Sequence, residues 1–141
     1  STFLGARRHL REGITADNKG AVERAARQAW NMEIQGSAAE MTKLAMARLW
    51  KSDFLWKFDA RFIAPVHDEL ITSISTRDAL DAIKIKHECM TKKYADMEVP
   101  VWGSVSLGPN LGQQIECGDW LIPENISSAI ASVSHEHKKA A

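Results

Sequence analysis

Two strand-like runs separated by only two residues constrain this chain more than any other feature. Over 58–66, Phe58, Ala60, Phe62, Ala64 and Val66 fall on alternate positions, which puts them on one face of an extended strand. Residues 69–75 are rich in Ile and Thr, types that suit a pleated strand. Between the runs lie His67 and Asp68 alone, too few residues for anything but a tight hairpin. The chain therefore presents His67-Asp68 at an exposed tip held from both sides.

Helical patterns flank that hairpin. Residues 1–19 read as irregular or extended, with turn signals at Gly5, Gly13 and Asp17-Asn18, and Arg7, Arg8 and Arg11 make the segment locally basic. A helix is expected over 20–34, favoured by Ala21, Val22, Ala25, Ala26 and Ala29. Gln35-Gly36-Ser37 interrupts it, and Ser37 followed by Glu40 fits a capping box for a second helix over about 37–51. Ala38, Met41, Ala45 and Leu49 form its apolar face, with Glu40, Lys43, Ala47 and Lys51 opposite.

After the hairpin, Ser75-Thr76-Arg77-Asp78 opens a third helix over about 77–94. Its stripe is Leu80, Ile83, Met90 and Tyr94, with His87 as a half-buried, satisfied histidine rather than a ligand. A strand is expected over 99–107, with Pro100 at an edge or start, ending at Gly108-Pro109-Asn110-Leu111-Gly112. Residues 118–141 read as a tail in which Pro123-Glu124-Asn125 opens a weak helix. The order helix, helix, hairpin, helix, strand gives an α+β class, with helices packed on one face of a small antiparallel sheet.

Composition narrows the function. With 141 residues, 45% apolar and 26% charged, the chain can bury a core as one domain or part of a larger one. Lys+Arg and Asp+Glu both number 18, so the formal net charge is zero. A free-standing nucleic-acid binder usually carries a basic excess, so this chain is not expected to grip DNA alone. Cys89 and Cys117 lack CxxC spacing and read as reduced thiols of a cytoplasmic protein. No apolar run approaches the ~18 residues of a membrane span, so no membrane is involved. The basic turn at Arg7-Arg8 is unlike a signal peptide. The Ser1 start fits methionine removal.

Two residue groups carry chemistry. Asp68 and Glu69 are adjacent acids whose side chains, in a regular strand, would point to opposite faces. One acid with waters can hold Mg²⁺ weakly, because Mg²⁺ sites use one or two carboxylates plus substrate phosphates. A plain solvated turn would also carry Asp. Arg27, Asn31 and Gln35 stand at i, i+4 and i+8 on one helix face. A guanidinium for phosphate and two amides for base edges or sugars suit a nucleic-acid track. An ordinary polar helix face has the same look.

The joint pattern is more specific. The run Glu23-Arg24-Ala25-Ala26-Arg27-Gln28-Ala29-Trp30-Asn31-Met32-Glu33-Ile34-Gln35-Gly36-Ser37-Ala38-Ala39-Glu40 is similar to the Arg-xxx-Asn-xxx-Gln-Gly-(Thr/Ser)-Ala-Ala-(Asp/Glu) segment of family A DNA polymerases, and Lys43, Ala45 and Met46 continue it. Val66-His67-Asp68-Glu69-Leu70 resembles that family's motif C. Val99-Pro100 and Gly108-Pro109-Asn110 resemble its closing strand, and Leu4-Gly5-Ala6-Arg7-Arg8-His9-Leu10 its stretch after the fingers. The likeness runs from residue 2 to about 115, with five pieces in the right order.

This resemblance implies a palm segment over 1–117 followed by a tail over 118–141, and a DNA-directed DNA polymerase as the enzyme. Asp68 would be catalytic and a ligand of the Mg²⁺ ions of two-metal phosphoryl transfer. Glu69 would support the site, and His67 would touch the primer end. Arg27, Asn31 and Gln35 would hold primer-template DNA, Gln35 in the minor groove, where acceptors shared by all correct pairs report geometry rather than sequence. Deoxynucleoside triphosphates would be the other substrate. Pro65 and Leu111 depart from the family's usual Gln and Trp, and Trp30 and Glu33 are unusual, which suggests a diverged phage lineage.

The family's other metal aspartate, its fingers and its thumb have no counterpart in this chain. The resemblance therefore implies a fragment or one chain of a split polymerase, inactive without an upstream polypeptide. The competing reading is a non-catalytic DNA-binding or structural module that retains the fold. A Mg²⁺ hydrolase is a third, disfavoured because no second Asp/Glu/His cluster with ligand spacing is evident and His135-Glu136-His137 falls in the tail, read as disordered.

Overall fold

Short helices and two hairpins succeed one another along the chain. They are α1 (Arg11–Ile14), α2 (Lys19–Asn31), a π-helical turn (Met32–Gly36), α3 (Ser37–Lys51) and α4 (Phe54–Lys57). Then come β1 (Arg61–Val66), β2 (Glu69–Ser73), a 3₁₀ turn (Thr76–Asp78), α5 (Ala79–Thr91), β3 (Ser106–Asn110), β4 (Gln113–Glu116) and α6 (Pro123–Lys139). The computed structural model describes the chain except residues 16, 95–96, 119–121 and 140–141, and over 135–139 it describes the backbone only. The class is α+β, as the sequence implies. The antiparallel sheet comes as two separate two-stranded sheets, β1-β2 and β3-β4.

Local chemistry explains the helix starts. The Asn18 side chain accepts from Gly20 N at 2.8 Å and caps α2. Ser75 does the same for the 3₁₀ turn, accepting from Arg77 N at 3.4 Å. The break expected at Gln35-Gly36-Ser37 is instead the π turn, through which the helix continues. No capping box forms, because Gly36 is itself helical and leaves no free helix start to cap. Ser37 Oγ instead donates to the Glu33 carbonyl and accepts from Phe3 N at 2.9 Å. Glu40, freed of the capping role, has one carboxylate oxygen, Oε2, buried without a hydrogen-bond partner among the described residues.

Two apolar clusters share α5. The first joins Leu49 of α3, Phe54, Phe58, Ala60, Leu70 of β2 and Ala82 of α5. Its Phe54 and Phe58 rings tilt at 55° with centroids 5.5 Å apart. The second joins Ala79 and Ile83 of α5 to Cys117 and to Ile126 and Ala129 of α6. Arg48 ties α3 to the end of α5, donating to the carbonyls of Cys89 (3.2 Å), Lys92 (3.1 Å) and Lys93 (3.3 Å). Its guanidinium lies 4.3 Å from the centre of the Tyr94 ring. Tyr94 is buried beyond the end of α5, its hydroxyl 3.1 Å from the carbonyls of both Met41 and Met90, which share its one proton.

Several boundaries differ from the sequence expectation. Residues 11–14 are helical rather than irregular. The first strand starts at Arg61, because Phe58 and Asp59 form the exit from α4, with Asp59 in the left-handed region at φ 45°. Residues 99–105 are not strand, and β3 runs through Gly108-Pro109-Asn110, where an end was expected. In a two-stranded sheet both strands are edges, so Pro109 is tolerated. Gly108 passes so close to β4 that a Cβ there would stand 1.9 Å from the Gln113 carbonyl oxygen. The weak helix expected at Pro123 is 17 residues long and buries Ile126, Ala129 and Val133.

Candidate active site and nucleic-acid face

The hairpin is as tight as the sequence requires. Val66 pairs with Glu69, Pro65 with Leu70 and Ala64 with Ile71, and an irregularity follows between Ala64 and Phe62. His67 takes a left-handed φ of 52°, the positive value that two-residue hairpin turns need at their first central position. His67, Asp68 and Glu69 are all exposed, while Leu70, next along, is buried. Phe62 and Ala64 face inward as the alternation implies, but Val66 is 41% exposed.

Asp68 has no hydrogen bond or ion pair among the described residues, so its carboxylate is free to take a ligand. Among those residues no three His, Cys, Asp or Glu side chains gather into a metal cluster. An exposed carboxylate on a stiff turn fits one corner of a Mg²⁺ site. The ion's other ligands would be waters, substrate phosphates and an acid from elsewhere. The side chains of His135, Glu136 and His137 lie outside the described residues.

Behind the tip stands Lys86 of α5, which the sequence reading did not single out. Its Nζ donates to the Leu70 carbonyl and, at 3.1 Å, to Thr72 Oγ1. Burial pulls its amine down to about 8, against which the nearby Glu69 carboxylate pulls upward. The available signal was its place between Ile83 and Met90 of the buried stripe, where a lysine needs a partner. His87, on the same helix, is half-buried with Nε2 3.2 Å from the Gly103 carbonyl, a satisfied histidine.

Arg27, Asn31 and Gln35 are all exposed. In an α-helix each i,i+4 step overshoots a turn by about 40°, so three residues spaced by four fan out. The π turn Met32–Gly36 follows Asn31 and includes Gln35, and a π turn takes more residues per turn than an α-helix, which offsets part of that fan. The N-terminal segment braces the turn. Thr2 is buried against Gly36, where a Cβ would meet Thr2 Cγ2 at 2.8 Å and Met32 Sδ at 2.9 Å, and Phe3 bonds Ser37. The row and the tip are not one cluster. They are joined through α3, which touches the π turn, α5 and β2. No described helix is long and apolar enough to cross a membrane.

Residues 1–113 match the protein family described as DNA polymerase family A. DNA polymerase I of Mycobacterium leprae is 39% identical over 114 residues, covering 79% of this chain and 12% of that protein. The thermostable DNA polymerase I of Thermus caldophilus is 36% identical over 107 residues, covering 76% of this chain and 12% of its own length. Among solved structures, the POL domain of Pol1 from M. smegmatis, in complex with DNA primer-template and dNTP, superposes with a TM-score of 0.63 at 35% identity. That match covers 71% of this chain and 17% of the other. The chain thus spans about an eighth of the length of the curated relatives it matches.

Proposed function

The chain belongs to DNA polymerase family A, and we propose that it supplies the C-terminal part of the palm of a DNA-directed DNA polymerase. The observation that carries this reading is the free, exposed carboxylate of Asp68 on a two-residue turn, within a family match that spans the tip and the Arg27-Asn31-Gln35 row. Residues 1–117 form the palm part and 118–141 a C-terminal addition that lies wholly beyond the matched region.

In the reaction a primer 3′-hydroxyl attacks the α-phosphorus of a deoxynucleoside triphosphate and pyrophosphate leaves. Mg²⁺, when bound, would lower the hydroxyl's pKa and neutralise charge on the phosphates. Asp68 contributes a metal ligand, with the second aspartate supplied by the upstream part of the polymerase. Glu69 supports the tip from β2 without being an indispensable ligand. His67, at the outermost position, meets the primer end. Arg27 pairs with backbone phosphate, while Asn31 and Gln35 reach the minor groove near the growing end. The M. smegmatis neighbour's primer-template and dNTP support those two partners. The third partner is the upstream polypeptide with fingers, thumb and the rest of the palm. The apolar surface exposed beside the row, Trp30 at 75% and Ile34 at 76%, is a contact such a polypeptide would cover. A cytoplasmic enzyme of phage lineage, split over two chains or cut from one, fits this reading.

Primer extension tests it. The chain alone is expected to be inactive, and the chain with its upstream polypeptide active. Asp68→Ala should reduce that activity by ~10²-fold or more, the scale for losing one stabiliser of transition-state charge. Full activity of Asp68→Ala would refute the assignment. Inactivity of every mixture, with DNA binding retained, would favour the non-catalytic module.

A further inference from the structure

In a two-residue hairpin the pair flanking the turn exchanges both backbone hydrogen bonds, and the next pair exchanges none. Here Val66–Glu69 flanks the turn and Pro65–Leu70 comes next. The backbone groups of that second pair therefore point to the outer edges of the ribbon. On the β1 edge stands Pro65, which has no N–H to satisfy. On the β2 edge the Leu70 carbonyl faces protein rather than water, since Leu70 is only 5% exposed. Lys86 Nζ supplies that carbonyl with a donor, and Thr72 Oγ1 accepts from the same ammonium at 3.1 Å.

A half-buried lysine is a costly way to satisfy one carbonyl. Burial drags its amine down to about 8 although Glu69 favours the charged form. Removing the lysine alone would leave the Leu70 carbonyl buried without its donor. What the ammonium adds is direction: a charge-assisted bond holds β2 at one position along α5. That position is two residues beyond Asp68. The far end of α5 is fixed in turn to α3 by Arg48.

We propose that Lys86 is a positioning residue for Asp68, locking β2 onto α5 so that the hairpin tip stands at a fixed place relative to the helices. The inference rests on the reading of that tip as the metal-binding end of a polymerase palm. In this role Lys86 acts through β2 and not by touching substrate or metal.

The test uses the chain assembled with its upstream polypeptide. Lys86→Met should lower kcat for primer extension ~10-fold or more, given how steeply rate falls with sub-ångström misplacement. It should also raise the half-saturating Mg²⁺ concentration several-fold, while the KM for primer-template stays near wild type. Lys86→Arg, which keeps a charged donor, should recover part of both losses. A purely structural lysine would change thermal stability and leave the Mg²⁺ dependence alone. A folded Lys86→Met with wild-type kcat and Mg²⁺ dependence overturns the inference. Should that variant fail to fold, Thr72→Val decides: it removes one acceptor and keeps the charge. A shift of both parameters in the same direction supports the inference, and wild-type values overturn it. An inactive wild-type assembly would overturn the reading of the tip together with this inference. An active wild-type with unaffected variants would overturn this inference alone.

Discussion

The half-buried Lys86 ammonium gives a stability signature with a definite sign. Its amine titrates at about 8 in the folded chain against 10.5 as a free side chain, with burial as the main cause. Below about pH 8 both folded and unfolded states carry the proton. Between about 8 and 10.5 the unfolded chain keeps it while the folded chain has released it. The unfolded state then binds more protons, so stability rises with pH across that window. At 1.36 kcal/mol per unit the rise has a ceiling of ~3 kcal/mol, and water reaching the partly open amine brings the expectation to ~1–3 kcal/mol. Other groups run the opposite way. Burial raises the titration of Tyr94, Cys89 and Cys117, so their contribution is lost as pH climbs through the alkaline range. The wild-type curve therefore mixes both signs, and only a difference isolates the lysine. Chemical unfolding of wild type and Lys86→Met, followed by circular dichroism from about pH 7 to about 10.5, supplies it. The gap between them should move in favour of wild type by ~1–3 kcal/mol above pH 8. A gap constant to within ~0.5 kcal/mol would mean that the amine is not desolvated where it sits, and the reasoning fails.

Three further outcomes follow from the same contacts. Gln35→Ala should leave the fold intact, because Gln35 is exposed, and reduce extension from matched primers ~10-fold, the scale of one good base-edge contact; normal extension would remove the minor-groove role. Arg48→Met should cost ~2 kcal/mol in equilibrium unfolding, since it deletes three bonds to the Cys89, Lys92 and Lys93 carbonyls and the face contact with Tyr94. Gly36→Ala should destabilise by ~1–3 kcal/mol through overpacking against Thr2 and Met32, and amide exchange at Phe3 should speed up as the N-terminal segment lifts off Ser37.

What could be read from the sequence was what local pattern controls. The hairpin was legible because alternation fixes which residues face inward, and a two-residue gap leaves one connection. α3 was legible as a helix over 37–51 because its apolar positions recur at helical spacing. The π turn was not, since Ser37 and Glu40 have capping-box spacing whether or not a helix starts there. Their side chains were claimed instead by contacts that cross the sequence: Ser37 by Phe3, and Glu40 by burial. The second hairpin was hidden for a related reason. Gly108-Pro109 carries the signature of a turn, yet here Gly allows close passage under Gln113 and Pro sits on a free edge. Of the candidate site, the exposed tip and the helix row were legible as residues. Lys86 was legible only as a lysine within a buried stripe; its partners Leu70 and Thr72 lie on another element, and no local period reveals a carbonyl that needs a donor.

The positioning of Asp68 can be followed bond by bond, and the sequence of bonds explains why the acid is carried on a hairpin. The turn alone cannot fix it: His67 stores backbone strain at φ 52°, and a two-stranded ribbon is marginal unless it packs on something. The support comes through Leu70, which is buried in the first core and held at its carbonyl by Lys86. Lys86 rides on α5, α5 is bound at its end by Arg48, and Arg48 belongs to the helix that grows out of the π turn. The π turn displays Gln35 and is braced by Thr2 and Phe3. The tip and the proposed DNA-facing row are thus separated by helices and directed hydrogen bonds, with no free loop between α3 and the Leu70 carbonyl along this path.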